Sequence, residues 1–231
     1  MARFSKSEIT KLQIVRVASQ HFLDNGYSNT SVKAVCRELD MSPGNLTFYF
    51  PTKEHLLCEL VELLCRFQWK MMNEEAKEGL SSVMAICLEL TAMAVMCEED
   101  EAVRDMYLTT YQSPMCLEII RKNDMRRAKE VFRDFCPHWQ DESFAEAEIL
   151  VSGIEYATFT SWGGAVPLET RIRGAINQIL TIYNVPRELR EQKTDRVLSM
   201  DYRELGRRML SEFKKYVKEA NEQALLELLK L

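Results

Sequence analysis

The side chains that could carry covalent or metal chemistry are few in this chain, and they do not converge. His21, His55 and His138 are its only histidines. A nucleophile with its base, or a metal cage, needs several such groups at spacings that bring them together. The seven cysteines, Cys36, Cys58, Cys65, Cys87, Cys97, Cys116 and Cys136, include no Cys-x-x-Cys pair, and His138 is the only nearby histidine. They read as reduced, mostly buried thiols of a cytoplasmic protein rather than a zinc or disulfide framework. There is no glycine-rich phosphate loop. Glu89, Glu118, Glu148 and Glu155 fall in helical stretches and read as solvated surface carboxylates. The chain does not read as an enzyme, and no cofactor or metal is expected.

A second kind of chemistry, recognition by hydrogen bonds and charge, is concentrated in Ser42–Lys53, "SPGNLTFYFPTK". Ser42 is a good N-cap, and Pro43 stands at the first helical position, where its missing N–H costs nothing. Pro51 ends the helix, because the residue before a proline resists helical geometry. The result is a helix of about two turns, too short to be stable alone. Leu46 and Phe50, four apart, share the face that packs on neighbouring helices. Pro43, Gly44, Asn45, Thr47, Phe48 and Tyr49 are left around the other faces. An element presented in this way fits the major groove of DNA. Backbone N–H groups at the starts of the flanking helices, with Ser31, Lys33 and Lys53 beside them, suit phosphates.

These residues need a frame. Ile9, Leu12, Val15, Ala18 and Phe22 recur at helical spacing and are closed by Asn25-Gly26. Thr30 or Ser31 caps a second helix, with Val32, Val35, Cys36 and Leu39 on one face. Asp40 lies in a turn of three or four residues and tolerates the left-handed conformation. Two helices joined in that way predict a helix-turn-helix. Thr52 is expected to cap the fourth helix.

The region from about Lys6 to Leu57 resembles the DNA-binding domain of the TetR family of bacterial transcriptional regulators. The residues that carry the resemblance are Ala18, Phe22, Gly26, Tyr27, Thr30, Ser31, Val32, Val35, Ser42, Gly44, Leu46, Tyr49, Phe50, Lys53 and Leu56-Leu57. It implies that the third helix enters the major groove. It further implies that Thr30, Tyr49 and Lys53 touch phosphates and that Ser42 through Thr47 read base edges. Asp40 stands where the family often has glycine, and Thr47 where it often has tyrosine. Residues 1–57 are then a DNA-binding domain and 58–231 a regulatory and dimerisation body. The implied protein is an all-α homodimeric regulator, a repressor on a near-palindromic double-stranded operator, released by a small apolar or amphipathic inducer. The other readings are a helical protein-interaction module without ligand control, or an enzyme.

Composition agrees with an all-α chain. Eight glycines and six prolines in 231 residues are too few for many β-turns. The net charge of −5 argues against a general nucleic-acid coat. Residues 1–57 hold seven Lys/Arg against five Asp/Glu, so the charge is split between a +2 head and a −7 body. No window approaches the roughly 18 apolar residues of a membrane span. In the body, "LSSVMAICLELTAMAVMC" is apolar nearly all round and predicts a central helix. The run Glu98–Glu101 reads as a solvated helix start. Tyr107, Tyr111 and Phe159 are the expected ligand wall. The stretches 143–162 and 168–183 are the implied dimer helices, with Gly153 and Ala157 allowing close approach. A stripe of Tyr202, Leu205, Met209, Phe213, Tyr216, Ala220, Ala224 and Leu228 needs a partner along its length. That partner is the chain's own body or a second subunit, with the former favoured.

Overall fold

The computed structural model describes residues 6–77 and 81–229, with side chains for 7–74 and 81–220. Among them the chain forms eleven helices and no strand. These are α1 (Lys6–Asn25), α2 (Val32–Glu38), α3 (Pro43–Tyr49), α4 (Lys53–Lys77), α5 (Ser82–Glu99), α6 (Glu101–Gln112), α7 (Pro114–Val131), α8 (Asp141–Thr160), α9 (Leu168–Ile182), α10 (Arg187–Leu198) and α11 (Tyr202–Leu229). The all-α expectation holds: a small head of three helices joins a larger helical body.

Local signals in the sequence set most boundaries. Ser31, Ser42, Ser81, Asp100 and Ser113 are all N-caps whose side chains accept the backbone N–H three residues on. Asp40 (φ 49°) and Asn184 (φ 55°) take the left-handed conformation at helix ends. Each completes a Schellman closure. Met41 N–H donates to Cys36 O at 3.0 Å, and Val185 N–H donates to Leu180 O at 3.0 Å. One local expectation is corrected. The Thr52 hydroxyl lies 2.8 Å from the His55 ring nitrogen Nδ1, so it meets a side chain. The helix that Ser113-Pro114 opens ends at Val131.

The body is built around α5, whose buried surface runs nearly all round, from Val83 and Met84 through Val95 and Cys97. Helices α4, α6, α8, α9, α10 and α11 pack on it. The acidic run at its end is not simply solvated. Asp100 caps α6, Glu98 pairs with Arg171 of α9 at 2.5 Å, and Glu99 takes Arg203 (2.6 Å) and Arg207 (3.0 Å) of α11.

Helix α11 packs on α5 and α1 of its own chain. Met209, Phe213 and Val217 are buried, and Phe213 and Tyr216 meet the Phe67 ring of α4 at 5.3 and 5.4 Å. Gly206 makes the closest approach, since a Cβ there would sit 2.5 Å from Val95 Cγ1. The side chains of Ala224 and Leu228 lie outside the described residues.

Candidate nucleic-acid interface and interior cavity

Helix α3 stands between two fixed ends. Ser42 Oγ accepts from Asn45 N–H at 3.2 Å, and Phe50 N–H donates to Leu46 O at 2.9 Å before the chain turns extended into Pro51. Leu46 (1% exposed) and Phe50 (4%) anchor its inner face. Ser42, Pro43, Gly44, Asn45 and Thr47 face outward, and Phe48 is 78% exposed with its ring edge-on to Tyr49 at 5.3 Å. Leaving so large an apolar ring in water is unfavourable unless a partner covers it. Ser31 caps α2 through Ala34 N–H at 3.1 Å, and Lys33 is exposed.

Two residues expected at phosphates are used differently. Thr30 is buried, and the single proton of its hydroxyl is shared between Gly26 O (2.7 Å) and His21 O (3.0 Å). Lys53 is half-buried. Its ammonium donates to Tyr27 O (2.8 Å) and Thr30 O (3.0 Å) and sits 3.9 Å from the centre of the Tyr27 ring. Burial pulls its pKa down, while Asp105 acts the other way. The Thr30 side chain therefore closes the α1–α2 turn on the end of α1, and Lys53 ties that turn to the start of α4. Two charge-assisted bonds to carbonyls engage most of the lysine's three donors.

The same turn is held by the body. Asp105 of α6 accepts Ser28 N–H (2.7 Å) and Ser28 Oγ–H (2.6 Å). Gly26, at φ +82°, permits the approach: a Cβ there would lie 2.8 Å from Asp105 Oδ2.

Two and six residues further along α6 are Tyr107 and Tyr111. Both rings meet Phe159 of α8 at 5.8 Å, so the three expected wall residues do come together. The Tyr111 hydroxyl donates to Glu155 at 2.8 Å, whereas the buried Tyr107 hydroxyl has no partner among the described residues. Both tyrosines border a small void of about 10 Å³ with Gln68, Asp124 and Glu155. Asp124 and Glu155 also border a larger one of about 40 Å³, together with Glu89, Arg127, Glu148 and Tyr183.

This polar centre corrects the expectation that Glu89, Glu148 and Glu155 are solvated. Arg127 (3% exposed) is clasped by Glu89 and, at 3.4 Å, by Asp124. Gln68 donates to Glu89 at 2.7 Å, and Tyr183 donates to Glu148. Burial pushes the carboxyl of Asp124 up to about 6 against the pull of Arg127. Burial, reinforced by Asp124, pushes Glu148 up to about 8. Glu155 is raised well above the usual range by burial and then by Asp124. The signal for this centre was spacing. Glu148, Ser152 and Glu155 fall at i, i+4 and i+7 on α8, on the same stripe as the buried Phe144, Ala147, Val151 and Phe159.

All seven cysteines are buried and free, and Cys58 Sγ lies 3.5 Å from Cys116 Sγ. Among the described residues there is no group of His, Cys, Asp and Glu able to hold a metal ion. No described helix is long and apolar enough to cross a membrane.

Residues 14–60 match the family model for bacterial regulatory proteins of the tetR family. The chain is similar to the HTH-type transcriptional regulator UidR of Escherichia coli K12, 32% identical over 57 residues, 25% of this chain and 29% of the relative. It is also similar to the HTH-type transcriptional regulator QacR of Staphylococcus aureus Mu50, 36% identical over 70 residues, 29% of this chain and 37% of the relative. The match thus spans less than two fifths of the length of either. Salmonella enterica GusR superposes with a TM-score of 0.46 at 22% identity, over 84% of this chain and 98% of that one. The capped α2, its left-handed turn and the presented α3 all fall inside the matched segment. Residues 14–60, the segment that holds the helix-turn-helix, are thus similar to the tetR-family domain of bacterial regulatory proteins.

Proposed function

We propose that the protein is a sequence-specific DNA-binding transcriptional regulator, a repressor that acts as a two-fold dimer on a near-palindromic operator. The observation that carries this reading is the division of α3. Leu46 and Phe50 are buried, while Pro43, Gly44, Asn45, Thr47 and Phe48 stand clear of the protein. Asn45 offers an amide for an adenine edge and Phe48 an apolar face for a thymine methyl. Lys33, Ser31, Ser42 and Tyr49 lie around α3 as phosphate contacts. Thr30 and Lys53 act from behind, by fixing the turn.

A single helix of this size buries too little for specificity, and a two-fold dimer doubles it. The face of α8 that carries Ile149 (54% exposed), Leu150 (55%) and the open Gly153 supports that arrangement. Small-molecule release would run through α6, which bears Tyr107 and Tyr111 on the voids and Asp105 on the α1–α2 turn. A ligand lowers DNA affinity only by the difference in its affinity for the two positions of the head.

Selection of bound DNA from a random pool tests the reading and is expected to return two inverted half-sites. Asn45→Ala should relax preference at one position of each half-site by about 1–3 kcal/mol. Lys33→Ala should weaken all sequences alike and lower the salt slope. Recovery of no common sequence, or a change of preference with Lys33→Ala and none with Asn45→Ala, would remove α3 from the groove.

A further inference from the structure

Two of the seven thiols meet where the head joins the body. Cys58 Sγ of α4 lies 3.5 Å from Cys116 Sγ of α7, within reach for the S–H of one to donate to the other. Among the described residues no other two cysteines are hydrogen-bonded to each other. Thiol sulfur is a weak donor and a weak acceptor, so the contact adds little to packing. It does place two oxidisable atoms side by side.

The pair is also reached from outside. Cys58 (9% exposed) lines a surface groove of about 420 Å³ between α4 and α7, beside Met115, Ile119 and Lys122. Cys116 is fully buried behind it, in the first turn of α7, where its N–H donates to the capping Ser113 Oγ at 3.2 Å. Ser113 Oγ–H donates in turn to Glu54. Glu54 and Cys58 are one turn apart on α4, so two links to α7 stand next to each other. Glu54 itself is only four residues past Phe50, which anchors α3.

We propose that Cys58 and Cys116 are a modification site for a hydroperoxide, which converts them to a reversible disulfide that joins α4 to α7 and lowers DNA affinity. Cys58, on the groove, meets the oxidant. Its thiolate attacks the terminal oxygen of hydrogen peroxide, the O–O bond breaks, and one water leaves from a Cys58 sulfenic acid. Cys116, as thiolate, attacks the Cys58 sulfur; the S–O bond breaks and hydroxide leaves with the Cys116 proton as a second water. Two thiols lose two electrons and two protons, and the peroxide becomes two waters. The start of a helix favours the Cys116 thiolate in the second step. Burial pushes the Cys58 thiol up to about 12, with Cys116, Glu54 and Glu59 acting in the same direction. The pair therefore stays reduced in trace oxidant and answers sustained peroxide. In a reducing compartment a disulfide of this kind is transient and signals a change of conditions.

The bridge draws the two sulfurs from 3.5 Å to about 2.0 Å, and α4 must shift on α7 to allow it. The head follows the start of α4. Its displacement occurs in both protomers of the proposed dimer, while the half-sites of an operator keep their spacing. This effect on DNA rests on the proposed regulatory reading; the chemistry of the pair does not.

The test treats the reduced full chain with hydrogen peroxide at neutral pH, alkylates the remaining thiols and maps linked peptides by mass spectrometry. A Cys58–Cys116 bridge, two hydrogens lighter than the thiols and reversed by dithiothreitol, should be the main product. Cys65 borders the same groove and is the internal control, expected to form no bridge. The bridged protein should bind its selected DNA about fivefold more weakly or worse. Cys58→Ser and Cys116→Ser, checked for folding by circular dichroism, should form no bridge and keep their DNA affinity in peroxide. Absence of the Cys58–Cys116 bridge, bridges among other thiols in its place, or unchanged DNA affinity of the bridged parent would overturn the proposal. Selection that returns no DNA would remove the regulatory reading alone, because the bridge is mapped without DNA, and a bridge found there would leave the pair standing as a modification site.

Discussion

Replacement of Glu148 by glutamine should change how stability depends on pH more than it changes stability itself. Glu148 is 4% exposed, accepts the Tyr183 hydroxyl, and keeps its proton until about pH 8 instead of the ordinary 4.5. Its folded pKa is raised, so between those values the native state binds more protons than the unfolded one. Stability must then fall as pH rises through the window from about 4.5 to 8, and the full cost is present above it. At about 1.4 kcal/mol per decade the upper limit is about 5 kcal/mol for this group alone. Glutamine cannot ionise and still offers Tyr183 an acceptor. Urea unfolding at pH 5, 7 and 9, at fixed protein concentration, is the assay. The variant should match the parent within about 1 kcal/mol at pH 5 and exceed it by a few kcal/mol at pH 9. Equal destabilisation at every pH, with the slope unchanged, would mean that Glu148 is ionised in the native protein, and the reasoning would fail.

Three further substitutions probe the packing that positions α3. Gly26→Ala forces a side chain into a left-handed residue (φ +82°) and against Asp105, and should cost on the order of 1–3 kcal/mol in thermal unfolding while freeing Ser28. Gly206→Ala drives a methyl to 2.5 Å from Val95 Cγ1 and should cost about 1–3 kcal/mol, with α11 more accessible to limited proteolysis. Lys53→Ala removes two bonds to the carbonyls of Tyr27 and Thr30 and should lower stability by about 1–3 kcal/mol. Its salt slope on DNA should change far less than that of Lys33→Ala, the opposite of what a phosphate contact would give.

The head was legible because its signals are local. Ser31 and Ser42 as caps, Asp40 as a left-handed turn residue, Pro43 and Pro51 as brackets, and Leu46 with Phe50 as the anchored face all act within a few residues of one another. The role of Lys53 was not legible, because it depends on carbonyls 23 and 26 residues away that tertiary packing brings near, and Thr30 was misread because a cap position gave no sign of its burial. The polar centre was hidden for a related reason. Single glutamates in helices are mostly surface residues, and only placing Glu148 and Glu155 on the buried stripe of α8, opposite Asp124 and Arg127 of α7, reveals them as interior. Tyr107, Tyr111 and Phe159 were legible as apolar bodies with polar tips, though not the unpaired state of one tip. The acidic run at Glu98–Glu101 was misread because its partners, Arg171, Arg203 and Arg207, lie about 70 to 100 residues away.

Helix α11 lies along α1, and Lys214 reaches Asp24 at 3.2 Å across 190 positions of chain. Its buried residues Met209, Phe213 and Val217 are among those that complete the core behind the head. On a ribosome adding about 5–20 residues per second, α1 emerges roughly 10–40 s before the segment that covers it. During that interval the apolar back of α1, including Leu23, lacks its final neighbour. Nascent chains halted before α11 should therefore carry a head that is made but not yet seated, open to chaperones and proteases. The ability to read DNA would then mature at the end of synthesis rather than when the helix-turn-helix is first complete.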